Sequence, residues 1–178
     1  MIPAEIISKK REGQQLDKID LENFIHGYLS GHVTRAQMSA FLMAVYFNGM
    51  KLEETLSLLE IMVNSGSKLN FKHSKNYVAD KHSTGGIGDK ISLILAPLMV
   101  ASGIKIPMIA GRSLGFTGGT IDKLEAIPSI NTSPSLKTFE GWINKVGAGI
   151  ISQSKEICPA DHKIYALRNE TGTIPSIP

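Results

Sequence analysis

Apolar residues in the first third of the chain recur every three or four positions, which predicts amphipathic helices. The first set runs from Leu21 to Leu29, with Asp20 placed to cap a helix and Gly31 placed to end it. The second begins near Thr34, which can cap it, and ends near Asn48 and Gly49. We expect both helices to bury their apolar faces against neighbouring helices.

A third helix is predicted from about Leu52 to Asn64, because acidic residues occupy what would be its first turn. Its apolar positions include Leu56, Leu59, Ile61 and Met62. We interpret them as a packing surface, so that residues 1–66 form one small helical domain.

From about Tyr77 the pattern changes, and short apolar runs alternate with stretches of helical spacing. The predicted strands are YVAD, IPMIAG and AGIISQ, and the predicted helices span 89–102, 120–126, 135–145 and 160–169. This alternation is typical of βαβ units with a parallel sheet. Pro97 should kink or split the 89–102 helix. The apolar run from Ile91 to Ile104 is interpreted as a buried helix.

The predicted fold class is therefore α/β, with a small all-helical domain and the first part of a large mixed α/β domain whose sheet is mostly parallel. The predicted boundaries are 1–66 for the helical domain, 67–76 for a linker, 77–155 for a partial α/β domain and 156–178 for a helical return to the small domain. Three strands are fewer than the usual five or six. Either another chain completes this sheet, or the sequence is the N-terminal piece of a longer protein.

Composition and charge exclude several classes of protein. The 42% hydrophobic and 20% charged content is that of a globular protein, and a net charge of +3 is too mild to indicate nucleic-acid binding. The one short basic run, Lys9–Arg11, is interpreted as the solvated end of a first helix. A single cysteine, Cys158, excludes an internal disulfide and favours the cytoplasm. The longest apolar run is shorter than the roughly 20 residues of a membrane span, so we expect no membrane partner.

Two glycine-rich segments carry the candidate chemistry. DKHSTGGIGDK, residues 80–90, and GRSLGFTGGTIDKLE, residues 111–125, each follow a predicted strand and precede a predicted helix. In a parallel sheet both lie at the carboxyl edge of the strands, where ligands bind. Glycines let the backbone approach a ligand closely. The free N–H groups of a helix N-terminus, together with nearby hydroxyls and the charge of Lys81, are suited to binding an anion. The segments predict a phosphate site that is neither a Walker A nor a Rossmann loop, although such turns can also serve only to connect elements.

His82 is the one histidine in the two glycine-rich segments. A histidine is more often a packed or surface residue than a catalyst, but its ordinary pKa near 6.5 lets it exchange protons at neutral pH. Beside a bound phosphate the protonated form is favoured. His82 is therefore a candidate general acid or hydrogen-bond donor.

The motifs K-H-S-T-G-G-I-G-D and G-R-S-L-G-F-T-G-G-T-I-D-K-L-E resemble those of the thymidine phosphorylase and pyrimidine-nucleoside phosphorylase family. The stretch LSGHVTRAQMSAFLMAVYFNGM resembles the small helical domain of that family, and CPADHKIYALRNETGTIPSIP matches the return to it. Anthranilate phosphoribosyltransferases share the small domain. The resemblance covers essentially the whole chain.

The resemblance implies an enzyme that cleaves pyrimidine nucleosides with inorganic phosphate, giving the free base and a (deoxy)ribose 1-phosphate. It implies no redox cofactor and a homodimer through the helical domain. His82 and Arg168 would stabilise charge on the leaving base, and Arg168 would contact the pyrimidine. The phosphate-binding residues would be Lys81, His82, Ser83, Ser92, Met108, Ile109, Ala110 and Thr120.

Some members of the family bind potassium through positions that correspond here to Gly88 and Lys90. A lysine ammonium at the second position would replace the ion or point to solvent, and we expect it to remove the need for potassium. The sequence departs from the family pattern at Ala110, Ser113, Phe116 and Ser129, which bears on phosphate affinity and substrate preference.

The family continues beyond the position of Pro178 with further base-binding residues and the rest of its α/β domain. We therefore expect the 178 residues alone to bind phosphate weakly and not to turn over nucleoside. Two alternatives remain open at this point. One is a phosphoribosyltransferase of the anthranilate type, with Asp89, Asp122 and Glu125 available for magnesium. The other is a non-catalytic phosphate-binding module.

Overall fold

The computed structural model describes residues 2–83, 89–112 and 118–176. Four helices come first: α1 (Pro3–Arg11), α2 (Lys18–Ser30), α3 (Arg35–Asn48) and α4 (Leu52–Asn64). Then follow α5 (Ile91–Ala101), β1 (Ile106–Ala110), α6 (Thr120–Glu125), α7 (Leu136–Lys145), β2 (Ala148–Ser152) and α8 (Pro159–Glu170). The α/β class predicted from the sequence is confirmed.

The chain forms two compact units. A helical unit comprises Met1–Ser67 together with Lys155–Pro178, and an α/β unit comprises Lys68–Ser154. The helical unit is thus built from two separate stretches of chain. In the described residues, no helix is long and apolar enough to cross a membrane.

Capping residues set the ends of the first helices. Thr34 caps α3 in a reciprocal capping box with Gln37, and Gly31 ends α2 with a φ of 89°, both as predicted. The cap predicted for α2 was wrong by one turn. Asp17 is the N-cap, and its carboxylate accepts a hydrogen bond of 2.7 Å from the backbone N–H of Asp20. Asp20 itself lies inside the first turn, where its charge still favours the helix N-terminus.

The core of the helical unit is made by both stretches of chain. From α8, Ala160, Ile164 and Leu167 are buried in the same cluster as residues of α1 to α4. Gly66 lets the return segment lie close to the end of α4. A Cβ on Gly66 would meet the backbone oxygens of Ile157 at 2.4 Å and Glu156 at 2.6 Å. The apolar packing predicted for Ile61 is confirmed, whereas Leu56 and Leu59 lie exposed on this chain.

A buried ion pair crosses this core. Lys10 Nζ donates to both carboxylate oxygens of Glu54 at 2.8 and 3.0 Å, and the two side chains are only 3% and 1% exposed. Glu54 also accepts hydrogen bonds from the backbone N–H groups of Leu16 and Lys51. The interpretation of Lys9–Arg11 as a solvated helix end was therefore wrong for Lys10. A charged residue in the last turn of α1 becomes buried because Glu54 satisfies it.

The sheet of the α/β unit has two parallel strands in the described residues. Strand β1 pairs with β2 in register from Ile106 opposite Ala148 to Ala110 opposite Ser152. The predicted YVAD strand is reduced to one parallel bridge between Val78 and Lys105. The ladder stops there because its next donor on β1 would be Pro107, which has no backbone N–H.

Helix α5 differs from its prediction in two ways. It continues through Pro97 as one element and is not split. It is not buried all round: Ser92 and Ala96 are buried, whereas Ile91, Ile94 and Leu98 are exposed on this chain. These three residues are three and four positions apart, so they share one apolar face. That face points away from the core cluster that Ala96 forms with Ile106 and Met108 of β1.

We expect Glu54→Gln to lower the free energy of unfolding by about 3–5 kcal/mol, because Lys10 would be left as an uncompensated buried charge. Glutamine has one acceptor oxygen where Glu54 has two, so either the Leu16 or the Lys51 N–H also loses its partner, and this adds to the loss. Burial acts to raise the pKa of Glu54, but hydrogen bonds from Lys10 and two backbone N–H groups lower it overall. The stabilisation is therefore present above the ordinary carboxyl pKa and is lost as the pH falls through the folded value.

Urea unfolding at neutral and acidic pH measures this effect. The matched control is Glu60→Gln, which removes the partner of Lys18 from a solvent-exposed pair. That change should lower the free energy of unfolding by no more than about 1 kcal/mol. Equal losses for the two variants at neutral pH would contradict the role of the buried pair.

Candidate phosphate-binding site

Lys81 lies just after the bridge residue Val78, at the edge where β1 also ends. Its ammonium donates to Asp89 Oδ1 at 3.1 Å and to Ser92 Oγ at 2.8 Å. The side chain is 32% exposed, so part of it still meets solvent. The lysine predicted to bind phosphate is thus held by Asp89 of its own segment and by Ser92 of α5.

Two of the predicted hydroxyls lie in the first turns of α5 and α6. Ser92 and Thr120 are buried, with exposed fractions of 1% and 3%. Thr120 Oγ1 donates to Asp89 Oδ2 at 2.9 Å, and Ser92 Oγ makes a short hydrogen bond to the same oxygen. Lys81, Ser92 and Thr120, assigned to one site from the resemblance, therefore converge on a single carboxylate.

Asp89 is the centre of this cluster. It also accepts hydrogen bonds from the backbone N–H groups of Ile91 and Ser92, each at 3.1 Å, and so holds the start of α5. Burial acts to raise the pKa of Asp89. Hydrogen bonds from Ser92, Lys81 and Thr120 outweigh it and hold the pKa well below its usual value. Asp89 is therefore a carboxylate throughout the physiological pH range.

Lys123 ties the second glycine-rich segment to the first. Its ammonium donates to the backbone oxygens of Asp89 and Gly118, both at 3.0 Å. At the start of α6, the N–H of Gly119 donates to Asp122 Oδ2 at 2.8 Å. Sequence reasoning missed Lys123 and did not place Asp89 among the phosphate-site residues, because nothing in a linear motif shows which donors meet which acceptor.

An exposed ion pair supports the same segment from outside. Arg112 donates two hydrogen bonds to the carboxylate of Glu125, at 2.6 and 2.7 Å. Glu125 also accepts from Thr132 Oγ1 at 2.7 Å. This bidentate pair joins Arg112, just after β1, to the end of α6.

The remaining predicted residues of this unit lie near the cluster in sequence but have other surroundings. His82 is exposed, and its Nδ1 lies 2.7 Å from the carbonyl oxygen of Ser83. Met108, Ile109 and Ala110 form the last part of β1, and Met108 is buried in the core cluster of the unit. Their phosphate contacts stay predictions.

Arg168 belongs to the helical unit. Its Nη2 donates to the carbonyl oxygens of Thr173, Ile174 and Ser176, the shortest being 2.7 Å to Ile174. Its Nε is buried and has no hydrogen-bond partner in the described part of the chain. The guanidinium therefore organises the turn after α8, and its contact with a pyrimidine stays a prediction.

Comparison with known proteins identifies the family. Residues 75–178 match the α/β domain of a glycosyl transferase family, and residues 4–66 match the helical bundle domain of a glycosyl transferase family. The chain belongs to this glycosyl transferase family. The helical domain precedes the α/β domain along the chain, which is the order predicted from the sequence.

Curated relatives of the chain are bacterial thymidine phosphorylases. The protein of that name from Rhizobium meliloti is 46% identical over 178 residues, which are 100% of this chain and 40% of the relative. The thymidine phosphorylase from Colwellia psychrerythraea is 42% identical, and the match spans 100% of this chain and 41% of that relative. The chain thus spans about 40% of the length of the curated relatives it matches.

A solved structure shares the fold. An anthranilate phosphoribosyltransferase from Thermus thermophilus superposes with a TM-score of 0.71 at 22% identity, covering 94% of this chain and 50% of that one. At this identity the likeness shows the fold alone.

The positions that depart from the phosphorylase pattern have different outcomes. Ser113 and Phe116 lie outside the described residues. Ala110 ends β1 and brings no hydroxyl. Ser129, where the resemblance expects glycine, has a φ of 70°, which is the left-handed region that favours glycine.

The predicted potassium position lies partly outside the described residues, at Gly88, so potassium binding stays a prediction. Lys90 is exposed, and its ammonium group has hydrogen-bond donors but no lone pair with which to ligate a cation. In the described residues, no group of three or more His, Cys, Asp or Glu side chains is arranged to hold a metal. No step of the chemistry below is assigned to a metal.

We expect Gly119→Ala to destabilise the α/β unit by about 1–3 kcal/mol, because the new methyl group has no room. A Cβ on Gly119 would lie 2.5 Å from the backbone carbon of Arg112 and 2.8 Å from the oxygen of Gly111. Thermal and urea unfolding measure the loss. Gly118→Ala is the control, since its Cβ would meet the Cβ of Asp122 only at 3.9 Å. A control variant as unstable as Gly119→Ala would show that the close approach is not the cause.

Proposed function

We propose that this chain is the N-terminal, phosphate-binding part of a pyrimidine-nucleoside phosphorylase. The proposal rests on the convergence of Lys81, Ser92 and Thr120 in one buried cluster between the two glycine-rich segments. It is supported by relatives that are 42–46% identical to the chain and are named thymidine phosphorylase. The substrates would be inorganic phosphate and a pyrimidine deoxynucleoside such as thymidine.

The cluster offers what phosphorolysis requires of a phosphate site. A phosphate oxygen forms a bond to C1′ of the sugar while the bond from C1′ to the base nitrogen breaks, and the electron pair of that bond leaves with the base. The sugar acquires oxocarbenium character, as in glycoside cleavage. Lys81 would hold the phosphate by charge, and Ser92 and Thr120 would orient it by hydrogen bonds. The base-directed roles of His82 and Arg168 stay predictions.

Phosphoribosyl transfer is the weaker candidate. It would need acidic side chains free to hold magnesium near a diphosphate. Asp89 is instead occupied by Lys81, Ser92 and Thr120, and Glu125 is occupied by Arg112 and Thr132. These contacts favour the phosphorylase, as does the much higher identity to relatives of that name.

We expect the chain to bind inorganic phosphate saturably but weakly, with a Kd of about 1 mM. Lys81→Met should weaken binding about tenfold or more, because it removes a charge-assisted hydrogen bond. Thr120→Val, which removes a neutral hydroxyl donor, should weaken it less. Amide chemical shifts during a phosphate titration measure the three affinities.

Lys137→Met is the control, since it removes the same charge from an exposed position on α7. Equal affinities for all variants would overturn the proposed site. The same samples should show no phosphorolysis of thymidine or uridine, because the chain spans only about 40% of the relatives. Measurable turnover would contradict the fragment interpretation but would support the reaction.

We also propose that two copies of the chain pair through α4. Leu52, Leu56, Leu59 and Val63 are all exposed, and their spacing of four, three and four residues places them on one stripe. Such 3–4 spacing is that of a helix seam that packs against another helix. A second copy would present the same stripe, so a two-fold pairing buries both.

Analytical ultracentrifugation tests the pairing. The wild-type chain should sediment as a dimer, and Leu56→Glu combined with Leu59→Glu should sediment as a monomer, because buried carboxylates would have no partner. Val146→Glu, an equally exposed apolar position in the α/β unit, is the control and should leave the mass unchanged. A double variant that remains dimeric, or a monomeric wild type, would overturn the pairing.

A further inference from the structure

The feature that the proposed function leaves unexplained is the set of donors around Asp89. The side chain of Asp89 is 6% exposed. Three side chains donate to it: Lys81, Ser92 and Thr120. These are the same three residues that the proposed function assigns to phosphate.

The hydroxyl protons in the cluster cannot be donated to Asp89 and to a bound phosphate at the same time. A serine or threonine hydroxyl has one proton, and both Ser92 and Thr120 direct theirs at Asp89 Oδ2. Lys81 has three protons, of which one goes to Asp89 and another to Ser92. Among the described residues, an approaching phosphate therefore finds one lysine proton that has no acceptor and two hydroxyls that offer only lone pairs.

We propose, as an inference that rests on the proposed function, that Asp89 is an internal anion that occupies the phosphate donors and releases them when phosphate binds. In the unliganded protein it satisfies Ser92 and Thr120, whose buried hydroxyls would otherwise lack an acceptor. Its negative charge also opposes a second anion beside Lys81. Asp89 is thus a positioning residue that keeps the donors converged and weakens the affinity for phosphate.

The structure allows the charge of Asp89 to be separated from its role at the helix start. Asp89 Oδ1 accepts from the N–H groups of Ile91 and Ser92. Asparagine keeps an oxygen that can accept from these two donors. Asp89→Asn therefore removes the anion while leaving the start of α5 in place.

We expect Asp89→Asn to bind inorganic phosphate about tenfold more tightly than the wild type, because a charge of like sign is removed from beside the ligand. Asp122→Asn is the matched control. It removes the same charge from the second segment, where Asp122 accepts from Gly119 N and Arg112, and should change the affinity less than about twofold. The titration is followed by amide chemical shifts of the whole chain.

The outcomes separate the two proposals. Unchanged or weaker binding by Asp89→Asn, with the wild type binding phosphate, overturns the internal anion and leaves the proposed function standing. No phosphate binding by either protein overturns the proposed function and this inference with it. Tenfold tightening in both aspartate variants would show a general charge effect and would also overturn the inference.

A measurement on the wild type keeps the inference testable if Asp89→Asn does not fold. In protein labelled with carbon-13 at the aspartate carboxyl groups, the Asp89 resonance should move during the phosphate titration, because its three side-chain donors leave it. The Asp122 resonance should stay in place. An Asp89 resonance that does not respond while phosphate binds would overturn the inference.

Discussion

The Asp89 carboxylate is the contact that joins Lys81 to the starts of α5 and α6. A buried charge is tolerated only where hydrogen bonds replace its lost solvent. For Asp89 these come from Lys81 in the first segment, from the start of α5 and from Thr120 at the start of α6. One carboxylate therefore sets the relative positions of three separate pieces of chain, and Lys123 reinforces the same junction through the backbone oxygen of Asp89.

The sequence predicts most helices of this protein because their signals are local. Apolar spacing and caps such as Thr34 and Gly31 lie within a few residues of the structure they specify. Where two residues of the same capping type stand close together, as Asp17 and Asp20 do, composition alone does not select between them. The strand prediction for YVAD was wrong for a different reason. A longer ladder would need a backbone N–H donor on the neighbouring strand, and Pro107 has none.

Contacts between distant residues are not visible in linear patterns. Lys10 and Glu54 are 44 residues apart, and Thr120 and Asp89 are 31 apart. The motifs therefore identified which residue types belong to the candidate site, but not that their donors meet on one carboxylate. For the same reason the pattern predicts packed faces on α4 and α5 that are exposed on this chain: hydrophobic spacing shows which residues share a face, but not what covers it.

The discontinuous helical unit has a consequence for the order of events during synthesis. Helices α1 to α4 leave the ribosome first, yet Ala160, Ile164 and Leu167 of α8 are part of their core. The Sγ of Cys158 donates to the carbonyl oxygen of Met62 across a sequence separation of 96 residues. At a translation rate of about 5–20 residues per second, the first four helices exist for seconds with an open core. The whole α/β unit emerges in that interval, so a nascent chain has the opportunity to fold the later unit before the earlier one is complete.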